Sequence, residues 1–600
     1  MCHNLRRMSH TIVVNSDIRN ARRSLNRRLP VLLALLALIA MTAIATLPFF
    51  VIGEDQKVGC CGGEMPVTHD SWMHFNQMRA FYRGLESGRI YPRWDDETHG
   101  GYGAPTLAFY PPGAYYIASL FYFLTRDWSK VWIGFYWLAS LGSAAAIYWY
   151  ARLTMSRAAS LVAATVYVFA PYHLINQYQR GAIAEFLSFV WTPLVLLFAE
   201  RLLAESSRRE MWLSAAGLAA GFGAFLWSHP PTAYQFLLVV GPCFAVWAIR
   251  MKRWRGLLII GCALIFGSMI AAAYFYPAVA ERSLVNYDDV EQAWPYHASY
   301  VYDFARKVYD HIGNPFFARL DRVWMFNAIA IFIGSIAALN FRRSGEPGLI
   351  RSRSRVWLWL SAGLIACFLM TKYSEPIGRL VPKIEIGVFS WRMLTLTSFV
   401  MAMLAGECFE VCSASPRRKG MMIKSLPPRR STTNSLPLAA SLLILIGALA
   451  ASVWYVAWPM WRGQSFEPNP EHYNYATLPR GVPRETPPMD LAQLVSGAGR
   501  VTIERWTPEL RELRVELEEP DQLQFRTSNF AGWTATVDGR LAEVKEGAVK
   551  NIVIDLPAGK HMVALELRST PIRRAGNFVT VLSLAILVSI IITAIRLKSV

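Results

Sequence analysis

The chain has 600 residues, of which 54% are hydrophobic, 13% aromatic and only 17% charged. Its 61 basic against 42 acidic residues would suggest nucleic acid as the partner of a soluble protein. Uncharged runs of about 18 to 24 residues recur along the chain, however, and mark a multi-pass membrane protein, in which Lys and Arg collect on the cytoplasmic side during insertion. No nucleic-acid partner is expected.

In chain order, residues 1–29 carry seven arginines against one acid, Asp17, and precede an apolar run at 30–52. That run is longer than the core of a cleaved signal peptide, so a retained anchor with its N-terminus inside is expected. Met8 offers a second start. Twelve spans follow from the apolar runs: 30–52, 128–151, 158–178, 184–200, 211–228, 232–249, 256–279, 323–341, 356–371, 388–408, 436–458 and 577–595. This count puts 29 basic residues and five acids in the seven inner segments, with both termini cytoplasmic. Residues 106–125 are apolar enough to pass for a span, but counting them would invert every later loop. They are expected to lie at the outer interface, where their tyrosines suit the headgroup region, or to dip into the membrane and return. Eight cysteines show no zinc-type spacing, and the adjacent pair Cys60-Cys61 does not make a disulfide framework.

The fold expected is an all-α polytopic membrane protein of about twelve transmembrane helices with a C-terminal extracytoplasmic β-sandwich. Its parts are a basic N-terminus (1–29), a transmembrane domain (30–458) with an outer loop (53–127), a β-rich domain (459–576), and a last helix with a short tail (577–600). The β-rich part shows strand-like runs at 500–505, 510–517, 521–529, 533–537, 549–556 and 560–568. Asp538-Gly539 marks a hairpin turn. Such a domain serves either as a passive cap or as a binder of acceptor or glycan.

Candidate chemistry gathers in the outer segments. Asp70 precedes an amphipathic stretch running to about Gly84, where its carboxylate can cap the helix. His74 lies on the same face, at i+4. A carboxylate beside a histidine can instead act as general base on an acceptor hydroxyl, or help to bind a divalent cation. Arg93, in Tyr91-Pro92-Arg93-Trp94-Asp95-Asp96, either pairs with an acid at an interfacial turn or meets a phosphate. Arg180 and Glu185 end one outer turn, as a simple ion pair or as a phosphate ligand and the group that orients it. His229 is a turn histidine or a site residue. Arg392 either snorkels to the interface or binds an anionic headgroup. Asp288, Asp289, Glu291, Tyr296 and His297 are either residues of a solvated loop or an acidic and aromatic set lining a sugar site.

The first loop with Asp70, the run Pro111-Pro112-Gly113-Ala114-Tyr115-Tyr116 and the turn Arg180 to Glu185 resemble the GT-C superfamily of membrane glycosyltransferases. More closely, His69-Asp70, Tyr91-Pro92-Arg93-Trp94, Gly101-Tyr102-Gly103, Phe109-Tyr110-Pro111-Pro112, Ala170-Pro171-Tyr172 and Arg180-Gly181-Ala182 are similar to a bacterial membrane family labelled 6-pyruvoyl-tetrahydropterin synthase-related. The soluble synthase's zinc triad is absent from the sequence. The superfamily's acidic pair is replaced by His69-Asp70, which leaves the metal unknown.

The resemblance implies a glycosyltransferase of the bacterial inner membrane, taking a sugar from a polyprenyl-phosphate carrier at the outer face. The acceptor would be a glycan, lipid or protein, with membrane lipids as surroundings. Asp70 and His74 would be catalytic. Arg93, Arg180, Glu185, Arg392 and His229 would bind or orient substrate and lipid phosphate. No cofactor is certain, and a divalent cation stays open. The alternative is a lipid or glycan transporter or envelope assembly factor without enzymatic activity. The absence of internal repeats and the gathering of charge at one face disfavour transport.

Overall fold

The computed structural model describes residues 29–50, 57–59, 64–204, 207–286, 299–302, 314–340, 347–380, 389–413, 435–452, 477–483 and 485–597. The basic segment 1–28 and most of the loop between 412 and 435 lie outside these residues. In hydrocarbon every backbone polar group must be satisfied within the chain, so the apolar runs fold as helices. Among the described residues eight are long and apolar enough to cross a membrane: Leu29–Phe50, Trp128–Ala151, Ile183–Leu203, Arg208–Ser228, Pro230–Arg250, Ala318–Leu339, Ser390–Glu410 and Pro571–Arg596.

The expected number of about twelve is not confirmed among the described residues. Two further runs are broken helices, Arg157–Val168 with Pro171–Arg180 bent by 43°, and Trp254–Ile270 with Ala272–Ala280 bent by 77°, which gives at most ten spans. The runs expected at 356–371 and 436–458 fall on the shorter apolar helices Ser354–Leu369 and Leu442–Ala451. Residues 106–125 do not form one long helix. They form Thr106–Phe109 and the 13-residue helix Gly113–Thr125, which reaches only about 20 Å.

The 77° break is satisfied by side chains of other elements. Thr580 donates to Ile270 O at 3.1 Å and accepts from Ala273 N–H at 2.8 Å, and Trp227 Nε1 donates to Ile270 O at 3.3 Å. Pro277 has no N–H to offer the carbonyl of Ala273, four residues earlier. Arg93 Nη2 supplies that bond at 3.2 Å. Two residues expected among the inner-loop charges, Glu200 and Arg355, instead form a buried ion pair, and Tyr150 also donates to Glu200. A guanidinium and a carboxylate that pair this closely can be taken out of water together, where neither could be alone.

The C-terminal part is a sandwich of two antiparallel sheets. Besides a small hairpin, β1 (Lys57–Gly59) with β2 (Glu64–Pro66), the strands are β3 (Ala492–Leu494), β4 (Arg500–Thr507), β5 (Leu510–Leu517), β6 (Asp521–Ser528), β7 (Trp533–Val537), β8 (Arg540–Ala542), β9 (Lys545–Glu546), β10 (Asn551–Leu556) and β11 (Gly559–Leu567). One sheet has the order β3-β6-β10-β9 and the other β4-β5-β11-β7-β8. Alternate residues point inward, among them Leu513, Val515, Leu523, Phe525, Ile552, Ile554, Val563 and Leu565. Asp538 and Gly539 both have positive φ, 52° and 79°, as the tight β7–β8 hairpin requires.

Part of the first loop joins this core. Trp94 is fully buried and packs edge-on against Trp533 at 5.2 Å, and Ala108 and Phe109 belong to the same cluster. Arg511 lies between the rings of Trp506 and Trp533, 4.7 and 4.5 Å from their centroids. Ser528 N–H donates to Tyr102 O at 2.8 Å, and Tyr102 donates its hydroxyl proton to Pro487 O at 2.9 Å. The sandwich and the loop arm thus share one apolar core.

Candidate functional site

The site is built where the start of helix Ser71–Glu86 meets the turn before helix Ile183–Leu203. Two backbone bonds join them: His69 N–H to Gln179 O at 3.1 Å, and Asp70 N–H to Arg180 O at 2.9 Å. Residues Asn176–Arg180 form a π-helical turn, closed by Gly181 with φ of 65°. The wider turn faces Tyr172, Asn176 and Arg180 toward one point, and such turns recur at functional sites. Gly181 is needed twice over. Its φ is left-handed, and a Cβ there would collide with Thr68 Oγ1.

Glu185 is the hub. Arg180 Nη1 donates to its Oε2 at 2.5 Å and Arg392 Nε to the same oxygen at 3.0 Å. Its Oε1 accepts from the Tyr172 hydroxyl at 2.6 Å and from Asn176 Nδ2 at 3.0 Å. Both carboxylate oxygens are therefore engaged, and the side chain is 1% exposed. Arg180 Nη2 lies 3.8 Å from Asp70 Oδ2, and Arg392 keeps 14% of its side chain exposed. Asp70 occupies the cap position of its helix but makes no side-chain cap bond. Its carboxylate is on the Arg180 side instead. Two guanidiniums thus converge beside two carboxylates, and removing Glu185, the close partner that both guanidiniums share, costs about 3–5 kcal/mol.

One turn on, His74 is fully buried. Its Nδ1 lies 3.2 Å from the Tyr115 hydroxyl, which donates to Gln77 Oε1. Tyr110 stands edge-on to the imidazole and stacks on Tyr115. Burial, helped by the Arg180 charge, holds His74 down at about 3, so the ring is neutral.

The other expected site residues fall in different places. His229 caps helix Pro230–Arg250, its Nδ1 accepting from Thr232 N–H at 3.3 Å, and it is within electrostatic reach of Arg392, Glu185 and His74. Arg93 is not brought to the Glu185 hub. Its backbone N–H donates to Glu509 at 2.6 Å, its guanidinium to Ala273 O and Asn577 Oδ1, and it stacks over Tyr91 at 4.2 Å. Asp96 pairs with Arg83 at 2.5 Å. Asp288, Asp289, Glu291, Tyr296 and His297 lie outside the described residues. Asn176 and Gln77 are not among the candidates the sequence offers, and Tyr110 enters there only within Phe109-Tyr110-Pro111-Pro112. For Asn176, its place one turn after Tyr172 was the available signal. Among the described residues no group of three or more His, Cys, Asp or Glu side chains is placed to hold a metal ion.

A family model described as 6-pyruvoyl-tetrahydropterin synthase related domain, membrane protein, matches residues 107–414. No curated protein matches the chain. Among solved structures it is similar to the Archaeoglobus fulgidus oligosaccharyltransferase, crystallised with zinc and sulfate. That match has 14% identity and a TM-score of 0.42 over 72% of this chain, and the chain spans 54% of that protein. It is also similar to ArnT from Cupriavidus metallidurans in the apo state, at 11% identity and a TM-score of 0.37, over 71% of this chain and 75% of ArnT. ArnT bound to undecaprenyl phosphate matches at 11% identity and a TM-score of 0.32, over 70% and 88%.

Proposed function

For this chain, which belongs to the 6-pyruvoyl-tetrahydropterin synthase related family of membrane proteins, we propose a glycosyltransferase of GT-C type. It moves a sugar from a polyprenyl-phosphate carrier to an envelope or exported acceptor at the outer face of the bacterial inner membrane. The observation that carries this reading is the meeting of Arg180 and Arg392 on one Glu185 oxygen, with Asp70 beside Arg180.

Asp70 takes the proton of an acceptor hydroxyl as its oxygen attacks the anomeric carbon of the sugar. The bond from that carbon to the phosphate oxygen breaks, and the lipid phosphate leaves with the electron pair. Arg180 and Arg392 meet the charge that grows on it, and Glu185 orients both guanidiniums before substrate arrives. Glu185 is ill suited as the base, because its two oxygens already accept four hydrogen bonds. A single displacement of this kind inverts the anomeric carbon. His229 shapes the wall beside Arg392, and Arg93 supports the fold around the site from a distance.

The test is complementation of a strain lacking the gene with Asp70→Asn, profiling envelope and exported glycans and measuring protein in the membrane. The variant is expected to accumulate normally and to lower the product by about a hundredfold or more, the range for a positioned general base. Glycans at the wild-type level would sink the reading.

A further inference from the structure

We propose that His74 is a fixed hydrogen-bond acceptor for a hydroxyl of the bound acceptor or sugar, with Tyr115 and Gln77 as the positioning residues that set its tautomer. This rests on the glycosyltransferase reading and adds the chemistry of one subsite to it.

The argument follows the protons along a chain of three side chains. The Tyr115 hydroxyl has one proton, and it is donated to Gln77 Oε1. At the other contact, 3.2 Å away, the tyrosine oxygen can therefore only accept, so His74 Nδ1 must carry the proton. In a neutral imidazole the second nitrogen is then a bare lone pair. His74 Nε2 is that nitrogen. It is buried and has no hydrogen-bond partner among the described residues. Native proteins rarely leave a buried acceptor unmet, and the exceptions call for a functional reason.

The surroundings fit a hydroxyl donor. The ring is one helical turn from Asp70 and within electrostatic reach of Arg180 and His229. Burial and the Arg180 charge keep it from protonating, so it offers no N–H from Nε2 and does not serve as a base near neutral pH. Tyr110 and Tyr115, stacked at 5.5 Å, add an aromatic wall of the kind on which the C–H face of a sugar packs. A lone pair at this place accepts from an alcohol and repels a carboxylate or phosphate oxygen. The subsite thus selects a neutral, hydroxyl-bearing group, while the anionic part of the donor goes to the arginines.

The experiment uses the full chain. Selective ¹⁵N-histidine labelling, with the His74 signals assigned by their loss in His74→Gln, reads the tautomer directly. The expected result at pH 7 is a protonated Nδ1 and a bare Nε2, and Tyr115→Phe is expected to shift it toward the Nε2–H form. In the complementation assay His74→Phe should leave thermal stability level or raised, because an unmet polar atom is removed. It should also lower glycan product by about tenfold to a hundredfold, the worth of one buried hydrogen bond. His74→Gln, whose side-chain oxygen reaches the place of Nε2, should restore part of it. An Nε2–H tautomer or an imidazolium at pH 7 overturns the proposal. So does wild-type product from His74→Phe, or a Gln variant no better than Phe. Product lost on His74→Phe but kept on Asp70→Asn would sink the base assignment alone. The reverse pattern would sink this subsite alone.

Discussion

Asp95 shows how burial rather than sequence sets the chemistry of a residue. It stands next to Asp96 and is 2% exposed, with its backbone paired to Ala104 in both directions. Burial, then the charge of Asp96, push its carboxyl from 3.8 to about 7. The folded state therefore favours the protonated acid. The stability this brings is complete below about pH 4 and is lost as pH rises through about 7, a change worth up to about 4 kcal/mol. The wild type is expected to melt at a lower temperature at pH 8 than at pH 5.5, and Asp95→Asn to remove most of that difference. A flat wild-type profile between those values contradicts the assignment.

Arg93 makes the same point for a cation. In the sequence its neighbours Tyr91, Trp94 and Asp95 suggest a phosphate ligand at an interface. In the fold its guanidinium takes the carbonyl freed by Pro277 and is shared with Asn577, 484 residues away. No local pattern announces such a partner. Asp70, His74, Arg180, Glu185 and Arg392 could be singled out because charged side chains beside apolar spans are costly and so conspicuous. That Arg180 and Arg392 would share one Glu185 oxygen was not visible, since Arg392 comes 207 residues after it.

Among the elements, the π-helical turn at Asn176–Arg180 has the largest consequence. Tyr172, Asn176 and Arg180 follow one another at intervals of four residues, and through this turn all three side chains reach Glu185. Gly181 ends the turn with left-handed φ and leaves room for Thr68. Gly181→Val adds backbone strain of about 1–2 kcal/mol and a steric clash. It should abolish product in the complementation assay while the protein still reaches the membrane. Full activity would show that the turn does not place Arg180. The break at Ala271 is of another kind, because Thr580 and Trp227 satisfy it from neighbouring helices. A hydropathy profile passes over both breaks, since each run stays apolar through them.

At the scale of the molecule, the β-sandwich holds the first loop from above the helices. Trp94 is inserted in its core, Tyr102 is tied to Ser528 and Pro487, and Glu509 binds the Arg93 backbone. The chain then runs directly to Tyr110 and Tyr115 beside His74. The sandwich is thus more than a cover, because the wall of the candidate site is suspended from it. Trp94→Ala leaves a cavity worth about 3–5 kcal/mol. Hydrogen exchange of the full-length protein should rise across residues 91–105 and in β7, with helix Trp128–Ala151 unchanged. Exchange unaltered in the loop would mean that Trp94 does not hold it.

By itself the sequence determined the membrane class, the placing of nearly every apolar helix and the strands of the sandwich. These depend on local periodicity and on the free energy of moving side chains out of water, which each segment carries alone. Only the tertiary structure decided which apolar runs bend, that Glu200 and Arg355 are a buried pair rather than loop charges, and that Arg93 belongs to a helix junction. It alone put Arg180 and Arg392 on one Glu185 oxygen and set His74 against Tyr115. Those outcomes follow from pairing between residues far apart in the chain, where a buried charge or a freed carbonyl takes whatever partner the packing brings within reach.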